Sequence, residues 1–154
     1  MDQVPQEFES LKEEVSHIES ESRMILPGLQ ALFGFQLVAV YNDRFNEALP
    51  RIYQIFHWGA LACTAVATIL VIAPAAYHRQ SEPHMLSKKF IRKSNLFIAW
   101  ALFPMILGCV IDFFLIGYII TNDSTLSFII SAILYMAFVF TWYIHPWMCR
   151  QKNL

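Results

Sequence analysis

Four long apolar runs restrict what this chain can fold into. They cover residues 24–41, 55–77, 96–120 and 126–147, and each approaches the ~20 residues that a helix needs to cross bilayer hydrocarbon. Together they occupy most of the 154 residues, so little chain is left over for a soluble domain. Only 15% of the residues are charged, against about 25% in an ordinary soluble protein. The expected fold is an all-α, polytopic membrane four-helix bundle over residues 24–154, with spans at those four positions.

Residues 1–23 have a different character. Asp2, Glu7, Glu9, Glu13, Glu14, Glu19 and Glu21 stand against Lys12 and Arg23, while Phe8, Leu11, Val15 and Ile18 recur every three or four residues. That spacing predicts a short amphipathic helix ahead of the bundle. Its polar face is acidic, whereas helices that seek anionic membrane surfaces are usually basic. The apolar stripe is therefore expected to pack on protein: the basic middle loop or a second subunit. The first residues are acidic and polar, so no signal peptide is read there. Cys63, Cys109 and Cys149 show no metal or redox spacing, and no disulfide is expected.

Charge sets the expected orientation. With four spans, the two terminal segments and the loop between the second and third runs share one side. That side holds Lys12, Arg23, Arg79, Lys88, Lys89, Arg92, Lys93, Arg150 and Lys152; the other holds Arg44 and Arg51. Short loops rich in Lys and Arg stay in the cytoplasm. Both termini are expected to be cytoplasmic, in a bacterial inner membrane. Trp58 on one side and Trp142 and Trp147 on the other suit the aromatic belts of a bilayer.

Within the third run lies one full charge, Asp112. An acid at that depth costs about 2.5–3.5 kcal/mol on insertion scales, so it faces a partner or a hydrated space. At ~1.5 Å of rise per residue, Asp112 lies roughly 12 Å inside the end of its run. Gln36, Thr64 and Tyr135 fall at similar depth on the other three runs and are its expected partners. No Lys or Arg lies inside a run to pair with it, so shared hydrogen bonds are expected. Gln30-x-x-x-Gly34, Ala60-x-x-x-Thr64-x-x-x-Thr68, Gly108-x-x-x-Asp112 and Ser127-x-x-x-Ser131-x-x-x-Tyr135 are seams of small or polar residues along which membrane helices approach closely. Of four prolines near the cytoplasmic ends, Pro104 lies deep enough to kink its span. Pro27, Pro74 and Pro146 are expected to begin or end helices.

These stretches resemble a bacterial family of small four-span membrane proteins, catalogued as a domain of unknown function. The resemblance is carried by Arg23 with Leu26-Pro27-Gly28-Leu29-Gln30-Ala31-Leu32-Phe33-Gly34-Phe35, by Arg44-Phe45, and by Ile72-Ala73-Pro74-Ala75-Ala76-Tyr77-His78-Arg79. Asp112 and the Trp142…Pro146 ending also fit. It covers nearly the whole chain and implies the same four-span fold. After Arg79 this chain reads Gln80-Ser81-Glu82-Pro83-His84, where the family pattern is more apolar and basic. Members are sometimes labelled sodium:proton antiporter.

Function is less constrained than fold. No nucleophile elbow, phosphate loop or catalytic carboxylate pair is present, so no enzyme, cofactor or metal is expected. The basic loop suits lipid headgroups rather than nucleic acid. Arg23, His78, Arg79 and His145 are candidates at the cytoplasmic face, and a haem between His78 and His145 is a remote alternative. The leading expectation is a non-enzymatic accessory or oligomerising membrane protein. The alternative is a small oligomeric transporter, coupled to protons or cations, that uses Asp112.

Overall fold

A computed structural model describes residues 11–81 and 87–152. The elements are α1 (Leu11–Val40), α2 (Asp43–Ala48), α3 (Arg51–Ser81), α4 (Lys88–Thr121), α5 (Ser124–Val139), a π-helical segment (Phe140–Ile144) and α6 (His145–Lys152). Four helical stretches are long and apolar enough to cross a membrane: Glu13–Val40, Arg51–Ser81, Lys88–Thr121 and Ser124–Gln151. They mark a multi-pass membrane protein. The helices exceed the apolar runs because helical backbone satisfies its own hydrogen bonds, inside lipid and beyond it. At ~1.5 Å per residue, the 34 residues of α4 outrun a hydrocarbon layer of about 30 Å by several turns.

Local chemistry sets the helix ends. Ser87 caps α4 by accepting a hydrogen bond from the Phe90 N–H at 3.0 Å. At the far end of α4, Asn122 turns left-handed (φ 52°), and its N–H reaches Tyr118 O. Asn tolerates that conformation better than most residues. Asp123 then caps α5, accepting from Thr125 N at 2.8 Å and Leu126 N at 3.2 Å. The turn at Thr121–Ser124 is thus a C-cap followed directly by an N-cap.

Helix α1 joins the acidic residues from Leu11 onward to the first span without a break. One expectation needs correction: Pro27 and Pro74 lie inside α1 and α3 rather than at their ends. Pro146 stands in the first turn of α6, directly after the π-helical segment. A proline lacks the N–H of the helical ladder and crowds the preceding turn. The wider turn ahead of Pro146, with His145 N–H bonded to Phe140 O, relieves that crowding without breaking the helix.

The apolar stripe of the N-terminal segment packs within its own chain. Ile18 is buried with Phe90, Ile91 and Ile98 of α4, and Leu11 and Val15 pack against that cluster. Phe8 lies outside the described residues. A second cluster joins Leu29 of α1, Ala67 and Val71 of α3, and Ala101 of α4. Helices α3 and α4 form the closest pair: a Cβ on Gly108 would sit 2.9 Å from Thr64 Oγ1 and 3.2 Å from Ala60 O. The Ala60/Thr64 and Gly108 seams therefore meet face to face. Among the described residues, Gly34 has no atom within 4 Å of an added Cβ, so no described helix packs into the α1 seam there. Helix α5 buries only Ser127 and Ser131, and Ser127 meets Gly117 of α4.

Candidate functional site

Asp112 lies in α4, about two and a half turns before its end. Its carboxylate is 14% exposed and faces two other helices. From α1, Gln36 Nε2 donates to Asp112 Oδ2 at 2.5 Å. From α3, His57 Nδ1 lies 3.3 Å from Asp112 Oδ1. The other ring nitrogen, Nε2, is 2.9 Å from the main-chain carbonyl of Gln36. A carbonyl only accepts, so Nε2 carries a proton and donates it. The three residues close a ring across α1, α3 and α4, and Gln36 and His57 are both buried.

Apolar groups cover the ring. Phe45 of α2 meets the His57 ring edge-on, with centroids 5.1 Å apart. Leu49 is buried just after α2, and its carbonyl accepts from Gln54 Nε2 at 3.0 Å. A cleft of about 180 Å³ runs beside the carboxylate, and its lining includes Gln36, Phe45, Leu49, His57 and Asp112.

The ring is short of donors. Gln36 Oε1 and Asp112 Oδ1 are both buried without an aligned hydrogen-bond donor. Most buried polar atoms in folded proteins have a partner. With Nε2 committed to the Gln36 carbonyl, the contact between Nδ1 and Oδ1 needs one further proton. It resides on the ring, giving an imidazolium–carboxylate pair, or on the carboxyl, giving a neutral pair. Without it, two lone pairs face each other. With a second one, the histidine is charged beside a neutral acid.

Sequence reasoning named Gln36 as a partner, and the structure brings it to Asp112. The other two named partners lie elsewhere. Thr64 donates to Ala60 O of its own helix at 3.1 Å and marks the α3–α4 crossing. Tyr135 lines a separate apolar cleft with Val110, Phe114 and Phe128. His57 was missed because depth was counted from the start of the apolar run. The signal was nevertheless present. His57, Ala60, Thr64, Ala67, Val71 and Pro74 are the buried face of α3, at alternating spacings of three and four. His57 heads that stripe, so its ring faces protein rather than the interface. His57 also supplies the ionisable partner that a search confined to Lys and Arg excluded.

Of the candidates at the other end of the bundle, Arg23, His78 and Arg79 line one cleft. Arg23 is 3.7 Å from Glu19, and the His78 ring packs edge-on against Phe90. His145 lies 3.8 Å from Cys149 on its own helix. Among the described residues, no hydrogen bond or ring contact joins His78 to His145. Nor, among the described residues, is any group of three or more His, Cys, Asp or Glu side chains gathered as a metal site.

The profile of a family of unknown function (DUF6328) matches residues 6–146. No curated protein and no solved structure matches the chain. The match brings no activity with it, and it gives the sodium:proton antiporter expectation no support.

Proposed function

The chain belongs to that family of unknown function, and from this premise we propose that it is a non-enzymatic membrane protein whose Asp112–His57–Gln36 ring is a proton-responsive clamp on three helices. The observation that carries the reading is the pair of buried acceptors, Gln36 Oε1 and Asp112 Oδ1, beside an ionisable histidine. One proton taken up between His57 Nδ1 and Asp112 Oδ1 supplies the donor that Oδ1 lacks, and a buried acceptor gains most from that. Stability then falls on both sides of an optimum: at high pH the proton is lost and lone pairs oppose, and at low pH the histidine charge loses its counter-ion. The optimum belongs to the pair, not to either residue.

In this reading both terminal segments face the cytoplasm of a bacterial inner membrane. The support is the bias of nine Lys and Arg against two. The clamp serves an accessory or oligomerising protein, in which proton uptake alters how α1 sits on α3 and α4.

A second reading rests on the cleft of about 180 Å³ beside the carboxylate: the same proton is passed on, and the protein is a small oligomeric transporter coupled to protons or cations. Proton and sodium flux in proteoliposomes, run beside melting temperature against pH, separates the two. The clamp predicts no flux from well-folded protein and a bell-shaped stability profile that Asp112→Asn flattens. Flux abolished by Asp112→Asn establishes transport instead. A flat profile without flux removes both.

A further inference from the structure

At the end of the bundle away from Asp112, a cleft of about 580 Å³ opens between α1, α3 and the start of α4. Its chemistry changes along its length. Leu26 of α1 with Val71 and Ile72 of α3 line its deeper part, while Ser22 and Arg23 of α1 and His78 and Arg79 of α3 stand at its mouth. From Ile72 to Arg79 the rise is about 10 Å, so an apolar wall gives way to basic groups over the length of a headgroup region. The volume is in the ~300–1,000 Å³ range of small-molecule sites.

The mouth is positively biased. Arg23 and Arg79 outnumber the one acid in the lining, Glu19. Glu19 lies 3.7 Å from Arg23 with both side chains well exposed, and such pairs are weak enough for a stronger anion to displace. The first turns of α4 add Lys88, Lys89, Arg92 and Lys93 nearby, with the Lys93 ammonium 4.6 Å from the Tyr77 ring centre. Guanidinium groups bind phosphate oxygens in a two-pronged fork. Basic pockets between membrane helices, at the level of the lipid phosphates, hold anionic headgroups.

We propose that this cleft holds one anionic glycerophospholipid. Its phosphate lies between Arg23 and Arg79 with Ser22 as a further donor, and one acyl chain lies along Leu26, Val71 and Ile72. The lipid ties α1 to α3 at this end, as the Asp112 ring does at the other. Apolar contact and charge are both required, which distinguishes a lipid from free phosphate.

Native mass spectrometry of the full chain in detergent tests the assignment, with phosphatidylglycerol, phosphatidylcholine or glycerol phosphate added. One phosphatidylglycerol per chain is expected to survive, with phosphatidylcholine retained about tenfold less and glycerol phosphate not competing. Arg23→Gln with Arg79→Gln lowers phosphatidylglycerol retention by a similar factor. Arg44→Gln with Arg51→Gln removes equal charge at the opposite end of the bundle and leaves retention unchanged. Helical content by circular dichroism verifies each variant, and Arg79→Gln alone reads the same ratio should the double variant fail to fold. Equal retention of the two lipids, equal loss in both double variants, or competition by glycerol phosphate overturns the proposal.

Discussion

Asp112 is held by a residue that also holds its ionisable neighbour. Gln36 offers its amide to Oδ2 and its main-chain carbonyl to His57 Nε2, so one residue fixes both members of the ionisable pair. Asp112→Asn keeps size and one acceptor but loses the anionic partner of His57. We expect a folded protein with a flattened pH–stability profile. Asp112→Leu strands Gln36 Nε2 and His57 Nδ1 in a buried site and costs about 1–3 kcal/mol for each unpaired group, read as a lower melting temperature at every pH. The residue scale is also where the sequence was least legible. Asp112 announced itself as a charge in an apolar run. His57, near the start of its apolar run, is legible only through its place in the buried stripe with Ala60, Thr64 and Ala67.

Glycines separate two kinds of helix face. Gly108 allows α4 to approach α3, with Thr64 Oγ1 and the Ala60 carbonyl close to where its Cβ would be. Gly108→Leu places a branched side chain against backbone and is expected to cost about 1–3 kcal/mol, visible as a lower melting temperature. Gly34→Ala meets open space and is expected to leave the fold of the single chain unchanged. Both glycines belong to seams with the same four-residue spacing. Spacing identifies a surface able to pack closely, but which seams meet depends on tertiary arrangement. Composition changes after Arg23 from acidic to apolar, while nothing local stops the helix. Ile18→Ser, at the buried contact with Phe90 and Ile91, is expected to loosen the first turns of α1. Faster amide hydrogen exchange between Leu11 and Ser22 would report it, with little change near Asp112.

For the whole molecule, most of the fold was legible because the bilayer allows so few solutions. Four apolar runs of spanning length lead to four helices, and charge segregation supplies an orientation that labelling can check. In a background without native cysteines, residues introduced at Ser10 and Asn153 should resist membrane-impermeant thiol reagents in intact cells. Labelling of either from outside would reverse the topology. Two polar sites flank the membrane-spanning part of α1: the ring around Asp112 and the basic cleft at Arg23 and Arg79. Helix α5 depends on neither. It packs through Ser127 and Ser131 on α4 and leaves Phe128, Ile129, Ile133 and Met136 outward.

The central claim, that Asp112 and His57 share one proton while Nε2 is held by Gln36, is most directly tested by nitrogen-15 NMR of the His57 ring across pH. The account predicts that Nε2 stays protonated throughout, and that the Nδ1 resonance titrates and shifts in Asp112→Asn. A neutral ring protonated at Nδ1 alone, or a His57 spectrum indifferent to Asp112→Asn, would contradict it.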